Sequence, residues 1–276
     1  MREQNDVSRI LRDTTPASMT KAIEDSLEAF PSSLAQLPGA EIYNKPDLLW
    51  VATDMPISIF NGVYRCILDE QSVDARIEEI KEEFHSRQLP LFWQIGPSSR
   101  PADLRQRLLA HSFTHEEDEP GMALDLLAMN EAFPELAELH IRVVDEPSAL
   151  HRWVEVWGFG VPEDRRPLYQ EVYARLGFGP QFPWRYYLGD VQGKPVATAL
   201  LFFGAGVVAL HNVVTLPEAR YKGIGTAITL AALRDARREG YRVAILTSSP
   251  YGERIYRRIG FREYCTISRY NWQPEN

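Results

Sequence analysis

The sequence predicts a mixed α/β fold that is arranged as two halves of similar size. The chain has 276 residues, which is long for one compact domain and suits two. Short apolar runs of strand length alternate with amphipathic segments of helical period. Residues 90–113 and 242–261 also share one pattern of strand, Ser/Pro turn, helix and Phe, which indicates an internal repeat. Two unrelated α/β segments can share such a pattern, so convergence is the alternative interpretation.

The composition favours an ordinary globular protein and disfavours several classes of partner. Hydrophobic residues make up 45% and charged residues 25% of the chain, which is enough to build buried cores. The net charge of -8 disfavours a general nucleic-acid binder. The N-terminal segment, residues 1–16, lacks the apolar core of a signal peptide, and the longest apolar stretch, 195–210, is too short to span a membrane. We expect a soluble, cytoplasmic protein with no membrane or nucleic-acid partner.

The first half reads as alternating helices and strands. Helical periodicity is seen in the charged segment 72–87 and in 102–111, where Leu104 and Leu108 lie one turn apart. The predicted helices are 17–30, 72–87 and 102–111, and the predicted strands are 48–53, 57–68, 90–96 and 121–129. Residues 130–139 are the expected linker, which gives domains 1–130 and 139–276.

The second half continues the same alternation. A strand over 140–146 precedes a helix that begins at Pro147 and carries Leu150, Trp153, Val154 and Trp157 at the spacing of one buried face. Further helices are predicted over 165–176, from 224 to Gly240 and over 251–260, and strands over 184–189, 195–203, 207–215, 242–248 and 261–270.

The segment TLPEARYKGIG, residues 215–225, joins a predicted strand to a predicted helix. A helix N-terminus offers unpaired amides and partial positive charge to an anion. Gly223 and Gly225 allow close approach and unusual dihedral angles, and Arg220 and Lys222 can bind phosphate. The pattern therefore predicts an anion-binding turn. The simpler alternative is a tight entry to a packed helix, and neither the Walker nor the Rossmann pattern fits the segment.

Two motifs in the second half resemble one family. Arg220, Gly223 and Gly225 resemble the acetyl-CoA signature of the GNAT superfamily of N-acetyltransferases, and "ERIYRRIGF" is similar to that family's Tyr-x-x-x-Gly-Phe ending. The resemblance covers residues 139–270 with the order of elements intact. It implies two tandem GNAT-like domains and an acetyl-CoA-dependent N-acyltransferase (EC 2.3.1.-). The acceptor would be a primary amine of a small molecule or a peptide. The alternative is a non-catalytic acyl-CoA sensor or interaction module, and the oligomeric state is open.

The resemblance also assigns cofactor-binding positions. It implies that the backbone of the strand end pairs with the pantetheine arm and that the amides of the following turn hold the pyrophosphate. Ser249 stands where the family often has Asn, so its contact with the cofactor is in doubt. The implied cofactor-binding residues are Val213, Val214, Thr215, Arg220, Tyr221, Lys222, Gly223, Ile224, Gly225, Thr226 and Ser249.

Two catalytic residues are expected. The resemblance places Tyr256 where the family often has the acid that protonates or hydrogen-bonds the leaving sulfur, and a phenol is protonated at neutral pH; a core tyrosine is the alternative. His211 is the candidate base because imidazole titrates near neutral pH, although strand histidines often only pack. Glu218 ranks below it. His111 and His115 span a helix end, and Cys66 and Cys265 lack zinc spacing, so no metal site is expected.

The first half resembles the family as a degenerate copy. Its corresponding loop, residues 67–75, has no glycine and no basic residue, so we expect a non-catalytic domain that helps to shape the acceptor cleft. Five aromatic residues are candidates either for the acceptor pocket or for the core: Trp93, Phe178, Phe182, Trp184 and Tyr186.

Overall fold

The computed structural model describes residues 10–274 and divides the chain into two compact units. The C-terminal unit consists of Met122–Glu263 with the described part of Met1–Ser26, and the N-terminal unit consists of Leu27–Gly121 with the described part of Tyr264–Asn276. The expectation about a signal peptide falls largely on residues 1–9, which lie outside the described residues.

Helices and strands alternate along the chain. Helices α1 to α7 span Pro16–Ala29, Val73–Ser86, Leu104–Ala110, Pro147–Trp157, Arg166–Leu176, Ile224–Arg238 and Glu253–Ile259. Strands β1 to β11 span Glu41–Lys45, Leu48–Ala52, Gly62–Cys66, Leu91–Ile95, Thr114–Asp125, Leu139–Val143, Trp184–Val191, Lys194–Gly204, Val207–Thr215, Val243–Thr247 and Arg262–Trp272.

The C-terminal unit is built on strands in the order β10-β9-β8-β7-β6, with β5 beside β10. β10 and β9 are parallel, whereas β9, β8, β7 and β6 pair antiparallel. Ile228 and Leu233 of α6 pack with Val208 and Leu210 of β9 in one buried cluster. Helix α4 packs on β8, where the Trp153 indole donates to the Ala199 carbonyl at 3.2 Å. The apolar face predicted for α4 is therefore confirmed as a buried one.

The N-terminal unit has strands in the order β1-β2-β3-β4-β11. β3 and β4 are parallel, and β11 pairs antiparallel with β4. Its core joins Ile77, Ile80 and Phe84 of α2 to Trp93 of β4. Both units thus have a mixed sheet with packed helices, and the predicted fold class is confirmed.

Three parts of the first half differ from the prediction, and β1 and β3 are the first two. β1 lies in a segment for which we predicted no strand. Its sequence, EIYNK, forms no apolar run, and most of its side chains are exposed in the structure. The predicted strand 57–68 shrinks to β3. The buried Asn61 side chain accepts from the Thr53 amide at 2.7 Å and donates to the Ile57 carbonyl at 2.9 Å. These bonds fold the preceding residues into a short 3-10 turn, Ser58–Phe60.

The predicted strand 121–129 is also wrong in its bounds. β5 begins seven residues earlier, just before the acidic run 116–119. Two carboxylates of this run are partnered: Asp118 pairs with Arg105 at 3.1 Å and Glu119 with Arg269 at 2.8 Å. The strand ends at Asp125, whose carboxylate accepts from the Leu127 amide at 3.0 Å. That bond starts a 3-10 turn in place of further strand.

The compact units differ from the predicted domain boundaries at both ends. Residues 10–26 belong to the C-terminal unit, and residues 264–274 belong to the N-terminal unit. The second assignment follows from β11, which pairs with β4 from Ser268 to Trp272. The predicted linker has no regular element, and its Glu131 accepts from Arg234 at 2.6 Å. This stretch is therefore tied to α6 inside one unit.

Across residues 10–274, none of the helices is long and apolar enough to cross a membrane. The same residues contain no group of three or more His, Cys, Asp or Glu side chains that could hold a metal ion.

Candidate active site

Strand β9 separates from β10 partway along its length. The recorded pairing joins Val208 to Ala244 and Ala209 to Ile245. Beyond Ala209, no residue of β9 has a register partner in β10 among the described residues. The other edge of β9 stays paired with β8 as far as Thr215. The end of β9 therefore presents one free backbone edge, which can pair with an extended ligand as an added strand would.

A β-bulge lies within this free stretch. The register of β9 against β8 shifts between Thr198 and Leu200, and Asn212 has φ +52. Asn is one of the few side chains that tolerate this left-handed conformation. The Thr198 hydroxyl donates to the Asn212 carbonyl at 2.9 Å, which fixes the bulge from the neighbouring strand.

Two cationic side chains of the turn after β9 donate hydrogen bonds to nearby backbone carbonyls. Arg220 Nε donates to the Thr215 carbonyl at 3.0 Å, and Lys222 Nζ donates to the Glu218 carbonyl at 3.0 Å. Arg220, Tyr221 and Lys222 are all exposed. Two cationic side chains therefore lie at the surface beside the start of α6.

Helix α6 begins at a glycine in the left-handed region. Gly223 is its N-cap, with φ +81, and the first amide bonded within the turn is that of Ala227, which donates to the Gly223 carbonyl at 3.0 Å. The amides that precede Ala227 have no intrahelical acceptor. They form the polar end of the helix that favours an anion.

The two glycines of the turn serve different purposes. A Cβ on Gly223 would meet nothing closer than 3.8 Å, so its requirement is the positive φ. A Cβ on Gly225 would lie 3.3 Å from the Thr215 hydroxyl and 3.9 Å from Ile255 of α7. Gly225 therefore allows α6 to approach both the end of β9 and α7. Of the other predicted cofactor-binding residues, Ile224 and Thr226 are buried in α6.

The Tyr-x-x-x-Gly-Phe motif closes helix α7. Gly260 has φ +117, and its amide donates to the Arg257 carbonyl at 3.2 Å. The Phe261 amide donates to the Tyr256 carbonyl at 3.0 Å, and the two rings pack edge to face at 5.8 Å. This is a Schellman cap with its hydrophobic contact. The glycine and the phenylalanine therefore hold Tyr256 in place.

The Tyr256 side chain is half-buried, and its hydroxyl makes no hydrogen bond with any residue that the structure describes. Burial raises the pKa of Tyr256 to about 12. The ring lies directly over Gly252, where a Cβ would approach Tyr256 Cε2 to 2.6 Å. A protonated phenol with no partner among the described residues is therefore carried by α7, whose Ile255 lies 3.9 Å from the Cβ position of Gly225 at the start of α6.

His211, the predicted base, lies on the face of the sheet opposite α6. Leu210 belongs to the cluster under α6, so His211, the next residue of β9, faces the side of α4 and α5. Val213 and Tyr256 both pack against the α6 cluster. His211 and Tyr256 therefore lie on opposite faces of the sheet of the C-terminal unit. His211 is half-buried, and Ser249 is exposed in the turn before α7.

The aromatic candidates separate into two groups. Trp93, Trp184 and Tyr186 are buried core residues, whereas Phe178 and Phe182 are half-buried. Trp157, Tyr169 and Tyr173 form one aromatic cluster on α4 and α5, with ring centroids 5.0 to 5.1 Å apart for the two pairs that include Trp157.

Three residues near the site were not among the predicted ones: Asn212, Tyr173 and Gly252. Asn212 donates through Nδ2 to the Tyr173 hydroxyl at 3.0 Å. The only sequence signal for the bulge is an Asn in a strand of apolar residues. Gly252 was visible in the sequence, but its role depends on the direction of the Tyr256 ring.

Comparison with solved structures identifies the class of fold. A GCN5-related N-acetyltransferase from Kribbella flavida is 22% identical with a TM-score of 0.71, covering 92% of this chain and 96% of that chain. A tandem GNAT protein from the clavulanic acid biosynthesis pathway is 11% identical with a TM-score of 0.63, covering 94% and 97%. A GCN5-related N-acetyltransferase from Sphaerobacter thermophilus is 17% identical with a TM-score of 0.59, covering 95% and 94%. The chain therefore has the GNAT fold over nearly its whole length.

A family model matches part of the C-terminal unit. Residues 152–261 match the model described as the acetyltransferase (GNAT) family. The matched part contains the free edge of β9, the turn before α6 and Tyr256. Among curated proteins, none matches the sequence.

Proposed function

We propose that the protein is an acetyl-CoA-dependent N-acetyltransferase that acetylates a primary amine of a small molecule or a peptide. The observation that carries the proposal is that the C-terminal unit contains three features on elements that approach one another at Gly225, which lies close to Thr215 of β9 and Ile255 of α7. These are the free edge of β9, the open amides at the start of α6 and the unpartnered Tyr256 hydroxyl. The first fits an extended pantetheine arm, the second a pyrophosphate and the third a leaving sulfur.

The residues fit acetyl-CoA on structural grounds. Gly223 supplies a dihedral angle that only glycine adopts freely, and Gly225 leaves no side chain between α6 and Thr215. Arg220 and Lys222 add exposed positive charge. Val213, Val214 and Thr215 would offer their backbone to the pantetheine amides. The amides from Tyr221 to Thr226 would bind the pyrophosphate, whereas the Arg220 amide already donates to the Pro217 carbonyl at 3.2 Å.

When bound, acetyl-CoA supplies a thioester: the amine nitrogen forms the new bond to carbon, the carbon–sulfur bond breaks, and sulfur leaves as a thiolate. Tyr256 donates a hydrogen bond from its phenol to this sulfur. Its pKa of about 12 exceeds that of an ordinary thiol, about 8.5. The phenol is therefore a weaker acid than the departing thiol, and the contribution that we propose for Tyr256 is a hydrogen bond to sulfur.

The attacking amine must also lose a proton, and we propose that it does so on the face of the sheet opposite Tyr256. His211 is proposed as the acceptor, directly or through water, because it lies on β9 and faces away from Tyr256. The N-terminal unit is proposed to be non-catalytic, since the turn into α2 has neither glycine nor basic residue between Ile67 and Ser72.

Calorimetry with two ligands tests the proposal. Acetyl-CoA should bind, and acetyl-pantetheine, which lacks the pyrophosphate, should bind at least about tenfold more weakly. Equal affinities would contradict a phosphate-binding role for the turn before α6. If acetyl-CoA binds tightly and no primary amine accelerates release of its thiol, the protein is an acyl-CoA sensor and the proposed catalysis is wrong.

A further inference from the structure

The N-terminal unit repeats the elements that form the candidate site. β3, α2, β4 and α3 follow one another as β9, α6, β10 and α7 do. Among the residues that the structure describes, the parallel strands β3 and β4 pair at Gly62 with Phe92 and at Val63 with Trp93 and at no other position, so β3 also leaves its neighbour early. Its register against β2 shifts as well, between Leu49 and Trp50. The geometry that frees an edge in β9 is therefore present in β3.

The chain itself occupies this edge in the N-terminal unit. The Arg100 amide donates to the Cys66 carbonyl at 2.8 Å, and the Leu68 amide donates to the Arg100 carbonyl at 3.3 Å. Arg100 thus forms a parallel bridge with Ile67. Two backbone hydrogen bonds are made here by a peptide segment where an added strand would lie.

The length of one connection explains the difference between the units. Eight residues, 96–103, join β4 to α3, whereas five residues, 248–252, join β10 to α7. The longer connection reaches the edge of β3. Among the described residues, no isolated bridge joins 248–252 to β9.

The turn into α2 is also occupied by a group of the chain. Asp69 Oδ1 accepts from the Gln71 amide at 3.0 Å and from the Ser72 amide at 2.9 Å, and Oδ2 accepts from the Ser72 hydroxyl at 2.8 Å. The Ser72 hydrogen bonds lower the pKa of Asp69, so the group is an anion at neutral pH. It lies before a helix N-terminus, where negative charge is favoured.

We propose that the N-terminal unit is an acyl-CoA cleft filled by its own chain, with the segment around Arg100 in place of the pantetheine arm and the Asp69 carboxylate in place of a phosphate. Glu70 adds negative charge where a pyrophosphate needs cations. The protein therefore takes one acyl-CoA per chain, in the C-terminal unit. This count of one rests on the proposed function, whereas the filled cleft does not.

Residue-resolved hydrogen exchange on the full chain tests the inference. In the free protein, the amides of Leu68 and Arg100 should exchange at least about tenfold more slowly than the amide of Tyr221, which is a fully exposed residue. Acetyl-CoA should slow exchange over 220–226 and leave 66–72 and Arg100 unchanged. Slower exchange at Leu68 or Arg100 upon addition of acetyl-CoA would overturn the proposal.

The same experiment separates this inference from the proposed function. If acetyl-CoA protects neither segment from exchange, the proposed function fails. The exchange rates of the free protein still test whether the N-terminal cleft is filled by its own chain: slow exchange at Leu68 and Arg100 supports this inference, and rapid exchange at both contradicts it. Calorimetry measures the number of acetyl-CoA molecules bound per chain. The wild-type protein should bind one acetyl-CoA and Gly223→Val none, whereas two sites, or saturable binding that survives in a folded Gly223→Val variant, would overturn the count.

Discussion

The Asn212 side-chain amide donates a hydrogen bond to the Tyr173 hydroxyl, with 3.0 Å between Nδ2 and the phenolic oxygen. The bond joins the bulge of β9 to helix α5. Tyr173 is buried, and burial raises its pKa, so the hydroxyl stays protonated and accepts through a lone pair. The position of the free edge of β9 therefore depends on a helix that contains no predicted cofactor-binding residue.

Replacing Tyr173 by Phe should weaken acetyl-CoA binding by about fivefold in calorimetry. The change removes the acceptor of a half-buried amide, at a cost of about 1 kcal/mol. Tyr169→Phe is the matched control, because Tyr169 lies one turn away on α5 and its hydroxyl has no hydrogen bond among the described residues. If both variants bind acetyl-CoA like the wild type, α5 does not position the edge.

Gly252→Ala should lower kcat while leaving the affinity for acetyl-CoA nearly unchanged. A methyl group at this position would meet Tyr256 Cε2 at 2.6 Å, so the ring must move. The expected loss is about tenfold, and steady-state kinetics measure it. The same change in a Tyr256→Phe background should have little further effect on kcat; a full additional loss would show that Gly252 acts through something other than Tyr256.

Tyr256→Phe should reduce kcat by about 100-fold, within the range for loss of a positioned proton donor, with little change in the acetyl-CoA dissociation constant. Because the pKa of Tyr256 is raised to about 12, the phenol stays protonated as pH rises to about 11. The rate profile of the wild-type protein should therefore show no falling limb from Tyr256 below that pH. A limb near pH 9 that disappears in Tyr256→Phe would contradict the raised pKa.

Gly223→Val should abolish measurable acetyl-CoA binding. Gly223 has φ +81, and a side chain in this left-handed region costs about 1–2 kcal/mol. Gly240→Val is the matched control, since Gly240 has φ +90 and open space around its Cβ position. Both variants should lose similar stability in thermal unfolding, but only Gly223→Val should lose binding. Equal affinities in the two folded variants would argue that the turn does not bind the cofactor.

The ion pair of Asp125 with Arg242 should make stability depend on acid pH. Arg242 lowers the pKa of Asp125, with Nη2 2.5 Å from the carboxylate. A depressed carboxyl pKa contributes stability above the unfolded value of about 3.9 and loses it as pH falls through the folded value. Asp125→Asn should therefore lower Tm at pH 6, and the difference from the wild type should shrink by pH 2. A difference that is equal at both pH values would show that charge is not its cause.

Periodicity and turn chemistry were sufficient to predict most elements of the C-terminal unit. β9 was predicted over the residues that form it, and the α6 start followed from Gly223 and Gly225. Both signals are local, because a strand alternates over two residues and a left-handed N-cap requires glycine. The family model then confirmed the resemblance over 152–261.

The elements and contacts that were not predicted depend on residues that are distant from one another in the sequence. β1 and the acidic start of β5 are stabilised by partner strands and by Arg105 and Arg269, which no local pattern reveals. The bridge between Ile67 and Arg100 joins residues 33 positions apart in the sequence. The hydrogen bond from Asn212 to Tyr173 spans 39 positions, so spacing alone does not predict it.

Mass spectrometry of an amine panel incubated with acetyl-CoA and the full chain tests the central claim most directly. The account predicts an N-acetylated primary amine formed in equal amount with free CoA thiol, and loss of most of this product in Tyr256→Phe. Tight binding of acetyl-CoA with no acetylated amine from any member of the panel would contradict it.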